Sequence, residues 1–140
     1  MSKWPNEKHF GSWLGLAPHQ DLSGGKVLKS RTLKTDNRAG QAFRQAAASV
    51  TRSQSAFGAF YRRKRAQIGK MQALVATAHK IARTVYVMLK KRVQYEDIGA
   101  EGYDQKQRER ELIYLQRKAA KLGYILIEPR PDPTLLLTPT

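Results

Sequence analysis

Apolar residues recur at helical spacing along most of this chain and divide it into a few amphipathic segments. The clearest lies over 71–92, where Leu74, Ala78, Ile81, Val85 and Met88 are spaced 4, 3, 4 and 3 residues apart, with Val75, Ala82 and Leu89 in a second row beside them. A double row of this kind buries one face of a long helix, so this segment is the expected backbone of the core. Near the start, Asn6 can cap a helix reaching Leu14, with Glu7 in its first turn and Phe10, Trp13 and Leu14 at helical spacing. Gly15 and Pro18 stop it. Asp36 or Thr35 is the expected cap of a second helix, whose inner stripe is Ala42, Phe43, Ala46, Ala47 and Val50; Arg38, Arg44 and Arg52 can face outward. A third helix is predicted over 55–67, with Phe57, Phe60 and Tyr61 on one side, and Gly69 breaks it.

Between these segments the period is lost. Residues 15–35 carry Gly15, Pro18, Gly24 and Gly25 and read as a long loop or a short hairpin, a length of connection that more often serves function than filler. Gly99 and Gly102 mark a linker, and a further helix over about 103–122 is expected to bury Leu112, Leu115, Ala119 and Leu122 between flanks of mixed charge. Gly123 ends it, Tyr124–Ile127 could form one short strand, and the proline-rich PRPDPTLLLTPT reads as irregular. The expected fold is mostly α, a compact bundle of about five helices with a long basic Gly-containing loop and an irregular C-terminal tail. The corresponding divisions are 1–95, a linker at 96–102, helix and strand at 103–128, and the tail at 129–140.

Composition narrows the function. At 140 residues and 41% hydrophobic content the chain can build one core. Cysteine is absent, which removes disulfides, thiolate metal sites and cysteine nucleophiles together. No apolar run approaches the roughly 20 residues that span a bilayer, and MSKWPNEKHF lacks the signal-peptide pattern, so no membrane partner and a cytoplasmic, nucleoid-associated location are expected. The charge is lopsided: Leu22–Tyr95 holds 17 Lys or Arg and one acid, whereas Glu96–Thr140 holds 7 basic and 8 acidic residues. A body carrying +16 of the chain's +15 net charge points to a polyanionic partner, whereas a merely solvated surface would mix both signs.

Candidate chemistry concentrates in Ser23-Gly24-Gly25-Lys26. This is not a nucleotide-binding P-loop, because Gln20 and Val27 stand where that motif needs Gly and Ser or Thr. Two glycines still let a backbone approach an anion closely, and Lys26, Lys29, Arg31, Lys34 and Arg38 follow. A serine attacking phosphorus needs such cations and an activating base or metal; no base is evident nearby, and a Gly-Gly turn with a solvent-facing serine fits the same residues. Arg62, Arg63, Lys64 and Arg65 crowd the end of the third helix, where the dipole favours cations and where phosphates could also bind. His9, His19 and His79 are too scattered for a metal site, and His79 reads as a satisfied structural histidine.

Read in order, Trp13-Leu14-Gly15-Leu16-Ala17-Pro18, Ser23 to Lys26, the basic run Lys29 to Lys34, and Asn37-Arg38 resemble the C-terminal domain of insertion-sequence transposases of the IS-one-ten family, the "transposase 20" domain. The stretch from Gly69 to Tyr95 resembles that family's closing helix, so the resemblance covers about 7–95. It implies a DNA recombinase in which Ser23 is the nucleophile, Gly24 and Gly25 shape its turn, and Lys26, Lys29, Arg31, Lys34 and Arg38 meet phosphates. It also implies a RuvC-like N-terminal domain with an acidic Mg²⁺ site, and a guide RNA. The acidic domain is missing from these residues. The expectation is therefore DNA binding without autonomous strand exchange, no cofactor in this chain, and as partners DNA, a guide RNA, the acidic N-terminal transposase domain or other copies of the chain. The alternative is a non-enzymatic basic DNA- or RNA-binding protein derived from a transposase.

Overall fold

A computed structural model describes residues 2–32 and 37–128. The elements in order are α1 (Glu7–Trp13), a hairpin of β1 (Pro18–Ser23) and β2 (Lys26–Thr32), α2 (Arg38–Ser49) running into a 3₁₀ turn (Val50–Arg52), α3 (Ala56–Ile68), α4 (Lys70–Lys91) and α5 (Gly99–Lys121). The mostly α expectation holds, and the segment read as loop or hairpin is a hairpin. The chain divides into two compact units, Met1–Asp104 and Gln105–Thr140.

In the first unit α1, α2 and α3 all pack on α4. The buried face of α4 is Ala73, Thr77, Ala78, Ala82 and Tyr86, rotated from the predicted rows so that alanines meet the other helices, Leu74 and Ile81 pack at the flanks, and Leu89 is exposed. Small residues at the contact let helix axes approach, which is why the larger aliphatics sit to the side. Phe10, Leu14, Leu16, Ala47, Ala78, Ala82 and Tyr86 form the main core, and Trp4 and Phe43 pack against it. The Tyr86 hydroxyl donates to the Trp4 carbonyl at 2.8 Å, so this buried polar tip is satisfied.

Helix starts are set by side chains. Asn6 accepts from the Lys8 and His9 amides, as its position predicts. Helix α2 is capped by Asn37, whose Oδ1 accepts from the Ala39 and Gly40 amides; the expected caps Thr35 and Asp36 lie outside the described residues. Asn37 has the advantage of two functions, since its Nδ2 also donates to the Trp13 carbonyl at 2.9 Å and ties α2 to the end of α1. Arg44 does not face outward as expected: its Nη2 donates to the Gly15 carbonyl at 2.9 Å, satisfying an acceptor left open where α1 ends. Gly69, at φ +85°, lets α3 pass into α4 with a single intervening residue.

Asp97 caps twice. Its Oδ1 accepts from the Ala56 amide at 2.9 Å and the Gly99 amide at 3.2 Å, joining the starts of α3 and α5. Helix α5 therefore takes in 99–102 of the expected linker, and Tyr103 is buried with Ala56 and Ala59. In the second unit, Leu112, Leu115 and Leu122 are 40%, 47% and 66% exposed rather than buried, because no element among the described residues of that unit lies over them. Residues 124–127 form no strand; a strand needs a partner edge, and none is present among the described residues. The tail at 129–140 lies outside the described residues.

Candidate nucleic-acid interface

The hairpin is the element that carries Ser23. Its strands pair antiparallel from Pro18↔Thr32 to Ser23↔Lys26, with Leu28 as the extra residue of a bulge opposite Asp21 and Leu22. Gly24 and Gly25 close it at φ +55° and +76°, the left-handed pair that a tight two-residue turn matching the strand twist requires. A Cβ on either glycine would meet nothing within 4 Å, and Ser23, Gly24, Gly25 and Lys26 are all exposed. The turn therefore stands clear of the body, its two glycines chosen by backbone angle rather than by crowding. Leu16, only 1% exposed, anchors the approach to β1 in the core.

The sequence-selected residues fall into two groups. Ser23, Gly24, Gly25 and Lys26 come together at the turn, with Lys26 directly across from Ser23. Along the ribbon, Lys29 sits opposite Asp21 and Arg31 opposite His19 in backbone register. Arg38 is exposed at the first position of α2, and Lys34 lies outside the described residues. The α3 cations form the second group, on a different element. Arg62 donates to the Ser53 carbonyl, Arg63 to the Tyr103 hydroxyl and Lys64 to Gln67, so three of the four also brace the fold; Arg65 is exposed in the last turn.

Acids near these groups are few and engaged. His19 Nε2 lies 3.3 Å from Asp21 Oδ1, and Glu7 accepts from Arg83 at 3.1 Å. Backbone hydrogen bonding, then Arg83, hold the Glu7 carboxyl below its usual range. Among the described residues no three His, Cys, Asp or Glu side chains converge.

A groove that the sequence did not single out lies beside the foot of the hairpin. It encloses about 1000 Å³ between Pro18 and Thr32 on the strands, Phe60 and Ile68 on α3, and Met71 to Arg83 on α4. Gln72, Ala76, His79 and Arg83 line it at spacings of 4, 3 and 4, a polar stripe adjoining the core rows of α4 that could have been read as a second working face. His79 is not the satisfied histidine expected: its Nε2 is buried without a hydrogen-bond partner against Gly11, where a Cβ would lie 2.5 Å away. Burial, and then the Arg83 charge, push its pKa down, so the ring is held neutral.

No helix among the described residues is long and apolar enough to cross a membrane. No curated protein and no solved structure matches the chain. The family match over residues 1–62 ends before the Gly69–Tyr95 stretch, so the likeness of that stretch to a closing helix rests on its residues alone. Residues 1–62, which include the Trp13 turn, the Ser23–Lys26 turn and the Asn37 cap, match the model of the Transposase IS116/IS110/IS902 family.

Proposed function

We propose that the chain binds DNA through the exposed ribbon and the basic face of its helices, and presents Ser23 as the nucleophile of strand cleavage and joining in insertion-sequence transposition. The family match supports the transposition role itself. The observation that carries the finer reading is the placement of Ser23: exposed at the end of a strand, beside two glycines without side chains, and across from Lys26. A phosphodiester in a duplex is flanked by bulk, so an attacking hydroxyl must stand out from its own protein with a cation beside it. In the step, the Ser23 Oγ–phosphorus bond forms while one phosphorus–oxygen bond to a sugar breaks. The serine proton passes to a base supplied with an acidic metal site from another polypeptide segment, and the released sugar oxygen is protonated. Binding alone needs no such segment, and RNA could guide target choice without altering these roles.

Two measurements test this together. Fluorescence anisotropy on a duplex should give an affinity falling with salt at a logarithmic slope steeper than about −3, as several phosphate contacts require. With an acidic transposase domain of the same family added in trans, a denaturing gel should show a covalent protein–DNA adduct that Ser23→Ala abolishes while leaving affinity unchanged. A flat salt response removes the binding role. Adduct formation by Ser23→Ala removes the nucleophile, and tight binding with no adduct under any condition favours the non-enzymatic alternative.

A further inference from the structure

The hairpin carries two large apolar side chains that packing does not explain. Leu22 and Leu28 are 64% and 65% exposed, and neither stands in a hydrophobic cluster of the core. Leu22 pairs with Val27 in backbone register, and Leu28 is the extra residue of the bulge that follows. A bulge interrupts the ladder, sharpens the local twist and re-aims a side chain, so a leucine at that position is a placed feature. Both strands of a two-stranded ribbon are edges, where exposed leucines invite association with other chains. The pair is therefore read as a contact surface rather than as filler.

What covers the leucines follows from the rest of the ribbon. Residues 22–32 include Lys26, Lys29 and Arg31 and no acid, and the Ser23–Lys26 pair lies directly beyond the Leu22–Val27 pair. An apolar protein surface would match the leucines but not a run of cations. A DNA strand offers both chemistries within one step, with apolar base faces in the stack and a phosphate on either side. Leucine is among the side chains that enter a base step as a wedge, part it and bend the duplex. The spacing agrees. Strand neighbours lie about 3.3 Å apart and nucleotides of one strand about 3.4 Å apart, so Leu22 and Leu28 fall within about two nucleotide steps of a phosphate at Ser23.

We propose that Leu22 and Leu28 form an apolar wedge that parts one base step of the bound DNA beside the phosphate at Ser23. The inference deepens the DNA-binding reading above and rests on it. Its test uses the full chain and two short end-labelled duplexes, identical except that one carries a single central mismatch, a step already partly unstacked. The mismatched duplex should bind about tenfold tighter, because the wedge meets less resistance there. Energy transfer between the end labels should rise on binding as the duplex bends. Leu22→Ala and Leu28→Ala should each lower the preference about threefold, and together they should bring the two affinities within about twofold and abolish the bend. The single variants keep the comparison valid if the double variant fails to fold. Leu28→Met, which keeps an apolar side chain of similar length, should retain both preference and bend. Equal affinities with straight DNA for the unaltered chain overturn the wedge while leaving DNA binding intact, and so does a preference that survives the alanine substitutions. An unaltered chain that scatters light as a dimer, made monomeric by the same substitutions, assigns the leucines to a second copy and also overturns the wedge. Failure to bind any duplex overturns the DNA-binding reading and the wedge with it.

Discussion

Replacing Gly40 with alanine sets two well-understood effects against each other. In an isolated helix the change is favourable by about 0.5–1 kcal/mol, because alanine loses less backbone freedom on folding. In this protein a Cβ at Gly40 would collide with the Leu14 carbonyl oxygen and lie 3.3 Å from the Leu14 carbonyl carbon. The obstacle is backbone, so no rotamer relieves it. It is also held in place: Asn37 Nδ2 binds the Trp13 carbonyl at 2.9 Å and Arg44 Nη2 binds the Gly15 carbonyl at 2.9 Å, one on each side of Leu14. Leu14 itself is fully buried, so the turn cannot move away without opening the core. Forcing a methyl into such a contact costs about 1–3 kcal/mol, and the weakening of both clamps as α2 shifts puts this case at the upper end. The expected net effect is a loss of about 1–2 kcal/mol, or a fall of about 3–8 °C in Tm for a chain of this size. Urea denaturation followed by circular dichroism measures it. Gly40→Ala as stable as the unaltered chain would refute the close approach of α2 to the Leu14 turn. Asn37→Ala should couple to it non-additively, since both act on one contact.

Asp97→Ala should lower stability by about 2 kcal/mol in the same assay, because two helix starts lose one acceptor. It should also lower the Tyr95 pKa, now about 12, only in part: burial is the larger cause and the Asp97 charge the smaller, and absorbance titration near 295 nm distinguishes full from partial reversal. His79 is depressed in the folded state, so the unfolded chain binds more protons just below the ordinary histidine pKa of 6.5 and stability falls as pH drops through that value. His79→Gln should flatten the urea midpoint between pH 7.5 and 5.5; an unchanged pH dependence would assign it elsewhere. Gly25→Ala should weaken the hairpin by about 1 kcal/mol through its positive φ alone, with Ser23→Ala within about 0.5 kcal/mol of the unaltered chain.

Local signals were legible where one residue type is nearly dictated. Asn6 before Glu7, the break at Gly69 and the long period of α4 all identify elements that the structure contains. The Gly24-Gly25 pair marks a turn, but its hairpin is ambiguous because β1 and β2 show no alternation of apolar and polar residues, and β1 is exposed on both faces apart from the half-buried Asp21. Tertiary contacts decided what periodicity could not. Asn37 was preferred over its neighbours as a cap because it also reaches the Trp13 carbonyl, 24 residues away in sequence. Leu112, Leu115 and Leu122 have the spacing of a buried stripe, yet spacing cannot say whether a covering surface exists. The groove was hidden for a similar reason: Gln72, Ala76, His79 and Arg83 become a face only once the hairpin foot and α3 are set around them.

The way the core holds the Trp13–Pro18 segment links the fold to the chemistry proposed for Ser23. A two-stranded ribbon is marginal by itself, and its direction must be set by what lies at its foot. Leu14 and Leu16 are buried, the Leu16 amide donates to the Gly11 carbonyl at 3.0 Å, and Asn37 and Arg44 take the carbonyls of Trp13 and Gly15. Alternate residues of the turn are thus fixed from α2 immediately before β1 begins. The same device explains two features that separately look costly. Gly40 must lack a side chain so that α2 can come close enough to supply those donors, and Arg44 must turn inward although the surrounding surface is already strongly basic. A buried foot fixes where β1 begins, and the uncrowded glycine tip leaves the last turn free of side chains, the arrangement that the role proposed for Ser23 needs when its target is a strand met at the surface.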